Sequence, residues 1–334
     1  MNIEWDKLGF EFMPTKSNIR FTYADGKWGE ARLCNSYEVT LNVAANCLHY
    51  GQAIFEGLKA FRGKDGKVRI FRPDENAKRL NSSAKRLCMP EFPVEKFVEA
   101  VKTLLNDNID YIPPYGTGGS IYIRPVMFGT TPQIGVASSK EYELVIMAMP
   151  AGPYYKGGFK PVDAMSVTGF DRAAPNGTGT IKCAGNYAAS LLPAKIAKEN
   201  HCPVPLFLDP KTNEFVDEFG TSNFLAITKD GKYVTPASSS ILPSITNKSL
   251  MQIAEDIGMT VERRPIHISE LAEFAEVAAC GTAVVITPIG RIFCGDQVFE
   301  YSKEVGANLQ KLYDTITGIQ YGEVEDTHNW TVVL

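Results

Sequence analysis

From Asn18 to Leu33 the hydrophobic and polar positions break at Asp25-Gly26, a pattern that predicts strand, tight turn, strand. Leu58-Lys59-Ala60-Phe61 and Val68-Arg69-Ile70-Phe71 flank Lys64-Asp65-Gly66-Lys67 as a second hairpin. The period then lengthens. Pro73 stands at a first-turn position, Asp74 and Glu75 follow, and Ala77, Leu80, Ala84 and Leu87 recur at helical spacing, with Arg79 on the same helix. Val94 to Leu105 reads as another amphipathic helix, and Ile121 to Phe128 and Glu141 to Met149 as buried strands. Hairpins mixed with helices, without a βαβ repeat, give the first half an α+β character.

Between Ala151 and Gly179 the composition shifts to glycine and proline, which predicts a connection between two domains, with a strand at Asp163 to Thr168 left open. The resulting division is a domain over residues 1–155, a connection over 156–180 and a second domain over 181–334. In the second half a helical run from Ala188 to Glu199 precedes strands at Pro205-Leu208, Phe215-Asp217 and Phe224-Thr228, with turns at Asp209-Pro210 and Asp230-Gly231. A helix from Thr246 to Ile257 follows, then strands near Thr260-Arg264, Glu276-Ala279 and Ala283-Thr287, and a closing helix from Ser302 to Gly318.

Composition narrows the function. A chain of 334 residues has room for two cores, and 44% hydrophobic with 22% charged residues is ordinary for a globular protein. A net charge of -4, with Arg263-Arg264 as the longest arginine run, argues against a nucleic-acid partner. Met1 to Asp6 has no secretory character, and the most apolar window, Val277 to Ile289, is too short to span a bilayer. Seven dispersed cysteines and four scattered histidines suggest free thiols in a reducing cytoplasm and no metal site.

Candidate chemistry centres on Gly177-Thr178-Gly179-Thr180-Ile181-Lys182-Cys183-Ala184-Gly185-Asn186-Tyr187. Small residues permit a tight loop, and one lysine stands between that loop and a helix, which suits covalent imine chemistry. A phosphate-cradling P-loop is excluded, because Ile181 precedes and Cys183 follows the lysine. Alone, the loop reads as a solvated turn, because lysines beside glycines are usually exposed. Three other stretches change that. Glu218 ends an apolar strand before Gly220; Leu242-Pro243-Ser244-Ile245-Thr246 opens a helix whose free N–H groups make a phosphate seat; and Cys280-Gly281-Thr282-Ala283 lets backbone amides approach a ligand. Taken singly these are a strand end, an N-cap and a bulge. Together they supply what pyridoxal 5′-phosphate needs: an imine-forming lysine, a carboxylate for the pyridinium nitrogen, and an anion seat with an arginine.

With Leu48-His49-Tyr50-Gly51, Phe55-Glu56-Gly57-Leu58-Lys59-Ala60-Phe61, Phe71-Arg72-Pro73, Tyr122-Ile123-Arg124-Pro125 and Glu218-Phe219-Gly220-Thr221-Ser222-Asn223 added, the chain resembles the fold-type IV pyridoxal-phosphate enzymes, and among them the branched-chain amino acid aminotransferases. The resemblance implies a small N-terminal α/β domain, a larger C-terminal pseudo-barrel domain, a cofactor at their interface and a cytoplasmic homodimer. It implies Lys182 as the Schiff-base lysine and proton carrier, Glu218 at the pyridine nitrogen and Tyr187 at the phenolic oxygen. Arg79, Ile245, Thr246 and Thr282 match the phosphate ligands. The amides of Thr282 and Ala283, with the Tyr122 hydroxyl, match the seat of the substrate α-carboxylate.

Phe55 and Tyr154 match walls of the side-chain pocket. Arg124 matches the arginine that receives the second carboxylate of glutamate, and Tyr50, Ile134 and Val136 match residues that a partner subunit contributes. The implied reaction moves an amino group reversibly between L-leucine, L-isoleucine or L-valine and 2-oxoglutarate by way of pyridoxamine phosphate. A D-amino-acid aminotransferase, an aminodeoxychorismate lyase or a non-catalytic binding module are the alternatives. The chain departs from the family in two respects: Ala151 replaces a tryptophan of some bacterial members, and Val284 and Thr287 stand where animal members carry a redox cysteine pair.

Overall fold

The computed structural model describes residues 3–154 and 158–334. The expected boundary at 155/156 lies outside the described residues. Contacts divide the chain into two compact units: Met1–Lys156 with Ile181–Gly185 and Gly318–Leu334, and Gly157–Thr180 with Asn186–Thr317. Two segments expected in the second domain therefore belong to the first unit. Pairing explains both. Cys183 bridges Ile54 in antiparallel fashion, the Phe55 N–H donates to the Lys182 carbonyl (3.0 Å), and Thr331–Val333 pairs with Val68–Phe71.

The first unit is built on a nine-stranded sheet, in the order Thr331–Val333, Val68–Phe71, Leu58–Arg62, Ser120–Gly129, Tyr142–Ala151, Asn18–Ala24, Lys27–Trp28. Arg32–Cys34 pairs with Asn18–Ala24, and Ala53–Phe55 with Ser120–Gly129. Each of these pairings is antiparallel, as expected from the hairpin signals. Asp25 and Gly26 both take positive φ (51° and 77°), the mirror-image turn that matches strand twist. Helices Pro73–Arg86 and Val94–Asp107 place Leu80, Phe97, Val101 and Leu104 in one core with Ile70, Ile121, Ile123, Leu144 and Ile146 of the sheet.

The second unit holds the other nine-stranded sheet. Six of its strands pair into a closed ring: Val216–Phe219, Val204–Leu208, Val162–Ser166, Val285–Cys294, Phe274–Gly281, Ser222–Thr228 and back to Val216–Phe219. This is the pseudo-barrel implied by the resemblance. Three of the sheet's pairings are parallel, a long-range choice invisible to local alternation. The helical run expected from Ala188 to Glu199 is two helices, Ala184–Ala189 and Leu191–Glu199. Pro193 lacks the N–H that a continuous helix would use toward Ala189, so the chain restarts at Ser190. The closing helix is Ala307–Tyr321 and starts later than expected, because the Glu276 carboxylate collects the backbone N–H groups of Asn308 (3.2 Å) and Leu309 (2.9 Å). Among the described residues no helix is long and apolar enough to cross a membrane.

Candidate active site

In the first unit, the helix Pro73–Arg86 turns Asn76, Arg79 and Ser83 to one face, the i, i+3, i+7 spacing of a helical stripe. That stripe meets Glu56, whose carboxylate is fully buried. Arg79 donates to it twice (Nε to Oε1, 2.7 Å; a terminal nitrogen to Oε2, 2.8 Å), and Asn76 Nδ2 adds 2.7 Å. Ser83 Oγ accepts from the Lys182 backbone N–H at 3.1 Å. Lys182 thus sits at the edge of a short strand, with its main chain fixed on both sides. Burial, then the Arg79 charge, pull its amine down to about 8, with Glu56 opposing. Its Nζ stands 4.7 Å from the Phe55 ring centre, and the Arg124 guanidinium stands 4.8 Å from the same centre.

Arg124 also donates to the Tyr122 hydroxyl at 2.9 Å, while its buried Nε has no hydrogen-bond partner among the described residues. Gly57 makes this packing possible, because a Cβ there would lie 2.1 Å from the Tyr122 hydroxyl oxygen. Tyr122 and Arg124 open onto a cavity of about 340 Å³ lined also by Phe10, Phe12, Met147, Ala148 and Met149. Phe10 packs edge-to-face on Tyr122 and on Tyr154, centroids 4.8 and 5.2 Å apart. Tyr50, Ile134 and Val136 lie in this unit with exposed side chains.

In the second unit, Glu218 and Asn223 face each other across the hairpin of Val216–Phe219 and Ser222–Thr228. Glu218 is buried; it accepts from the Leu242 N–H (2.9 Å) and from Asn223 Nδ2 (2.8 Å), and Arg172 Nε is 2.6 Å from Oε1. Burial pushes its carboxyl up, and Arg172, then the Leu242 N–H and Asn223, oppose that rise. The nearby helix is Ile245–Asp256, and Ser244, not Thr246, is its N-cap, accepting from the Asn247 N–H at 3.2 Å. That leaves Ile245 and Thr246, both buried, in the first turn.

Thr282 and Ala283 do not begin a strand. They lie in the turn between Phe274–Gly281 and Val285–Cys294, where Gly281 pairs with Val285. Val285 closes that turn with φ 57°, a region a β-branched side chain rarely adopts, and such strain gathers at functional loops. Tyr187 sits half-buried on Ala184–Ala189, and Asn186 closes the loop before it through Thr178 (2.6 and 2.7 Å).

Residues 53–292 match the family model described as amino-transferase class IV. The chain belongs to that family. It is 43% identical over 339 residues to a branched-chain-amino-acid aminotransferase of Haemophilus influenzae, covering 99% of this chain and 98% of the relative. A Helicobacter pylori protein of the same name is 44% identical over 332 residues, covering 98% and 97%. Among solved structures, the Escherichia coli branched-chain amino acid aminotransferase superposes with a TM-score of 0.79 at 27% identity, covering 95% of this chain and 99% of that one. The branched-chain amino acid aminotransferase of Thermobaculum terrenum, in its PLP-form, gives 0.77 at 25% identity, covering 96% and 98%.

As a class IV amino-transferase the chain is a transaminase of fold-type IV. The structure brings Lys182, Arg79, Tyr122, Arg124 and Phe55 together in the first unit. Tyr187, Glu218, Ile245, Thr246, Thr282 and Ala283 belong to the second. In the sequence Glu56 stands within a motif but without a role, and sequence reasoning misses Asn76, Ser83, Arg172 and the cavity residues Phe10, Phe12, Met147 and Met149. The spacing of Asn76, Arg79 and Ser83 is the available signal: three polar positions on an otherwise packed helix face. Nothing in the sequence around Arg172 marks it.

Proposed function

We propose that this transaminase moves an amino group reversibly between L-leucine, L-isoleucine or L-valine and 2-oxoglutarate, using pyridoxal 5′-phosphate. The observation that carries the substrate class is the cavity of the first unit. Its lining is apolar and aromatic except for Arg124, so it suits a branched aliphatic side chain. The buried, unpartnered Arg124 Nε supplies a donor for the second carboxylate of glutamate, which is costly to bury unpaired. The names of the relatives support the same substrates, and the PLP-form of the Thermobaculum terrenum structure supports the cofactor.

The residues present fit that cofactor. A lysine with a depressed pKa, a buried carboxylate and a helix start with a hydroxyl in its first turn are its three requirements. When bound, pyridoxal phosphate supplies the ring that takes up the electron pair left at the substrate α-carbon. Lys182 Nζ would take the proton from the substrate α-carbon and deliver it to the cofactor's C4′, a role that an amine pulled down to about 8 suits near neutral pH. Glu218 would hold a proton at the ring nitrogen, and Tyr187 would donate to the phenolic oxygen. Arg79, the Ile245 amide, Thr246 and Thr282 would bind the phosphate, while the Thr282 and Ala283 amides and the Tyr122 hydroxyl would orient the α-carboxylate.

The test is an absorbance spectrum of the cofactor-loaded protein with L-leucine, and with D-alanine as control. Bleaching of the visible band by L-leucine, reversed by 2-oxoglutarate, is expected. Bleaching by D-alanine alone would reassign the substrate to D-amino acids, and silence with both would favour the lyase or a chain without catalysis. Arg124→Met is expected to slow the glutamate half-reaction about 10²-fold while leaving that with leucine nearly unchanged, because only one substrate loses a charge partner. Single-turnover rates with each amino acid decide this, and equal losses would remove Arg124 from the discrimination.

We also propose a cytoplasmic homodimer. Val43, Leu48, Ile134 and Val136 are 85%, 60%, 68% and 86% exposed. Val43 and Leu48, the latter on the short helix Asn46–Tyr50, belong to one segment and Ile134 and Val136 to another; hydrogen bonds from Gln133 N to Ala44 O (2.9 Å) and Asn46 N to Thr131 O (3.1 Å) join the two, so they form one apolar patch. Tyr50 belongs to it through its hydroxyl contact with the Ile134 carbonyl. Sedimentation showing a monomer at micromolar concentration would refute the dimer, and cell fractionation checks the compartment.

A further inference from the structure

In the second unit Arg172 is 7% exposed. Among the described residues its polar contacts come from three separate segments. Nε is 2.6 Å from Glu218 Oε1, and one terminal nitrogen donates to the Gly179 carbonyl (2.5 Å) and to the Ser240 carbonyl (2.7 Å). The two carbonyls belong to backbones in close approach, since a Cβ on Gly179 would lie 2.2 Å from Ser240 O. Arg172 therefore ties the small-residue loop that leads toward Lys182, the strand of Glu218 and the segment that leads into the helix Ile245–Asp256.

The remaining partners of Glu218 are neutral. Asn223 Nδ2 donates to it and to the Leu242 carbonyl (3.1 Å), Asn223 Oδ1 accepts from Asn247 Nδ2 (3.3 Å), and the Tyr233 hydroxyl donates to Asn247 Oδ1 (2.5 Å). The titratable groups that act on the carboxyl are Arg172, Asp217 and, through its own buried thiol, Cys280. Of these only Arg172 is a cation. Asp217 is occupied by the Ser240 hydroxyl and is itself pushed up by burial.

We propose that Arg172 is a positioning residue that keeps Glu218 ionised, so that the proton shared between this carboxylate and the cofactor's ring nitrogen resides on the nitrogen. This rests on the cofactor reading above. Without a cation beside it, a buried carboxyl whose other partners are neutral N–H donors keeps its proton, and the ring nitrogen then accepts a hydrogen bond instead of carrying charge.

The two states differ in proton count. Once the cofactor is bound, either protein holds one proton between the carboxyl and the ring nitrogen. The protein with neutral Glu218 held that proton beforehand, so its net uptake on binding is about one proton lower than that of the protein with ionised Glu218, whatever proton the free cofactor brings.

The experiment is calorimetric titration of the full chain, stripped of cofactor, with pyridoxal phosphate in two buffers of different ionisation enthalpy. Arg172→Gln is expected to bind about 10- to 100-fold more weakly, the scale of loss for a supporting-shell partner. It is also expected to take up about one proton fewer than the wild type. Arg172→Lys, which keeps the charge, is expected to retain the wild-type count. In a Glu218→Gln background the Arg172→Gln difference in proton count is expected to vanish. Equal counts in wild type and Arg172→Gln, or a difference that persists in the Glu218→Gln background and so belongs to Asp217, would overturn the proposal.

If Arg172→Gln does not fold, infrared difference spectra of the cofactor-free wild type against Glu218→Gln at neutral pH decide it. An ionised-carboxylate band lost on substitution supports the proposal, and an un-ionised carboxyl band overturns it. Failure of the wild type to bind pyridoxal phosphate at all would instead sink the cofactor reading.

Discussion

Lys182→Ala is expected to lower kcat/KM for L-leucine by about 10⁴-fold or more, because one side chain carries both the covalent attachment and the proton transfer. Lys182→Arg is expected to do no better, since a guanidinium stays protonated and cannot serve as the base. Borohydride reduction followed by mass spectrometry should add the cofactor's mass to the wild type and leave Lys182→Ala unchanged. A variant that kept a tenth of wild-type activity would remove Lys182 from the mechanism.

The same lysine has a signature in stability. Its folded pKa is pulled down to about 8 by burial, whereas an exposed lysine titrates near about 10.4. Between those values the unfolded chain binds a proton that the folded chain does not. Stability of the cofactor-free protein therefore rises with pH across that window, and the destabilising contribution is complete below about 8. Lys182→Met is expected to remove this part of the slope. Urea unfolding of both proteins across the alkaline range measures it, and identical pH profiles would refute the assignment.

Glu218→Gln carries the second large effect, in stability as well as rate. Each Glu218 oxygen accepts from an N–H donor, Leu242 on one side and Asn223 on the other, so an amide must turn its NH₂ toward one of them. The substitution also leaves Arg172 buried without its carboxylate. Breaking one half of a buried ion pair costs about 3–5 kcal/mol, and chemical unfolding of the cofactor-free variant should show a loss on that scale. Activity is expected to fall about 10²- to 10⁴-fold through the lost proton at the ring nitrogen. A Glu218→Gln protein as stable as the wild type would mean that the Arg172 pair contributes nothing to folding.

Local pattern determined a great deal of this protein. Hairpins at Asp25-Gly26 and Lys64 to Lys67, the helices from Pro73 and Val94, and most strands of the second unit follow from side-chain period and turn chemistry, which act over a few residues. The order of the motifs pointed to Lys182, Glu218 and the helix start at Ile245, because such chemistry needs those residue types in those local settings.

Tertiary structure decided what those residues meet. Glu56 binds Arg79, Lys182 docks on Phe55 and Ser83, and Arg172 reaches Glu218, each across a long stretch of intervening chain. It also assigned Ile181–Gly185 and Gly318–Leu334 to the first unit and closed six strands into a ring. The physical reason is the same in each case. Periodicity records which face of an element is buried, whereas the partner that covers it is chosen by packing between segments far apart in sequence. A buried charge then requires its counter-charge from whichever segment that packing delivers.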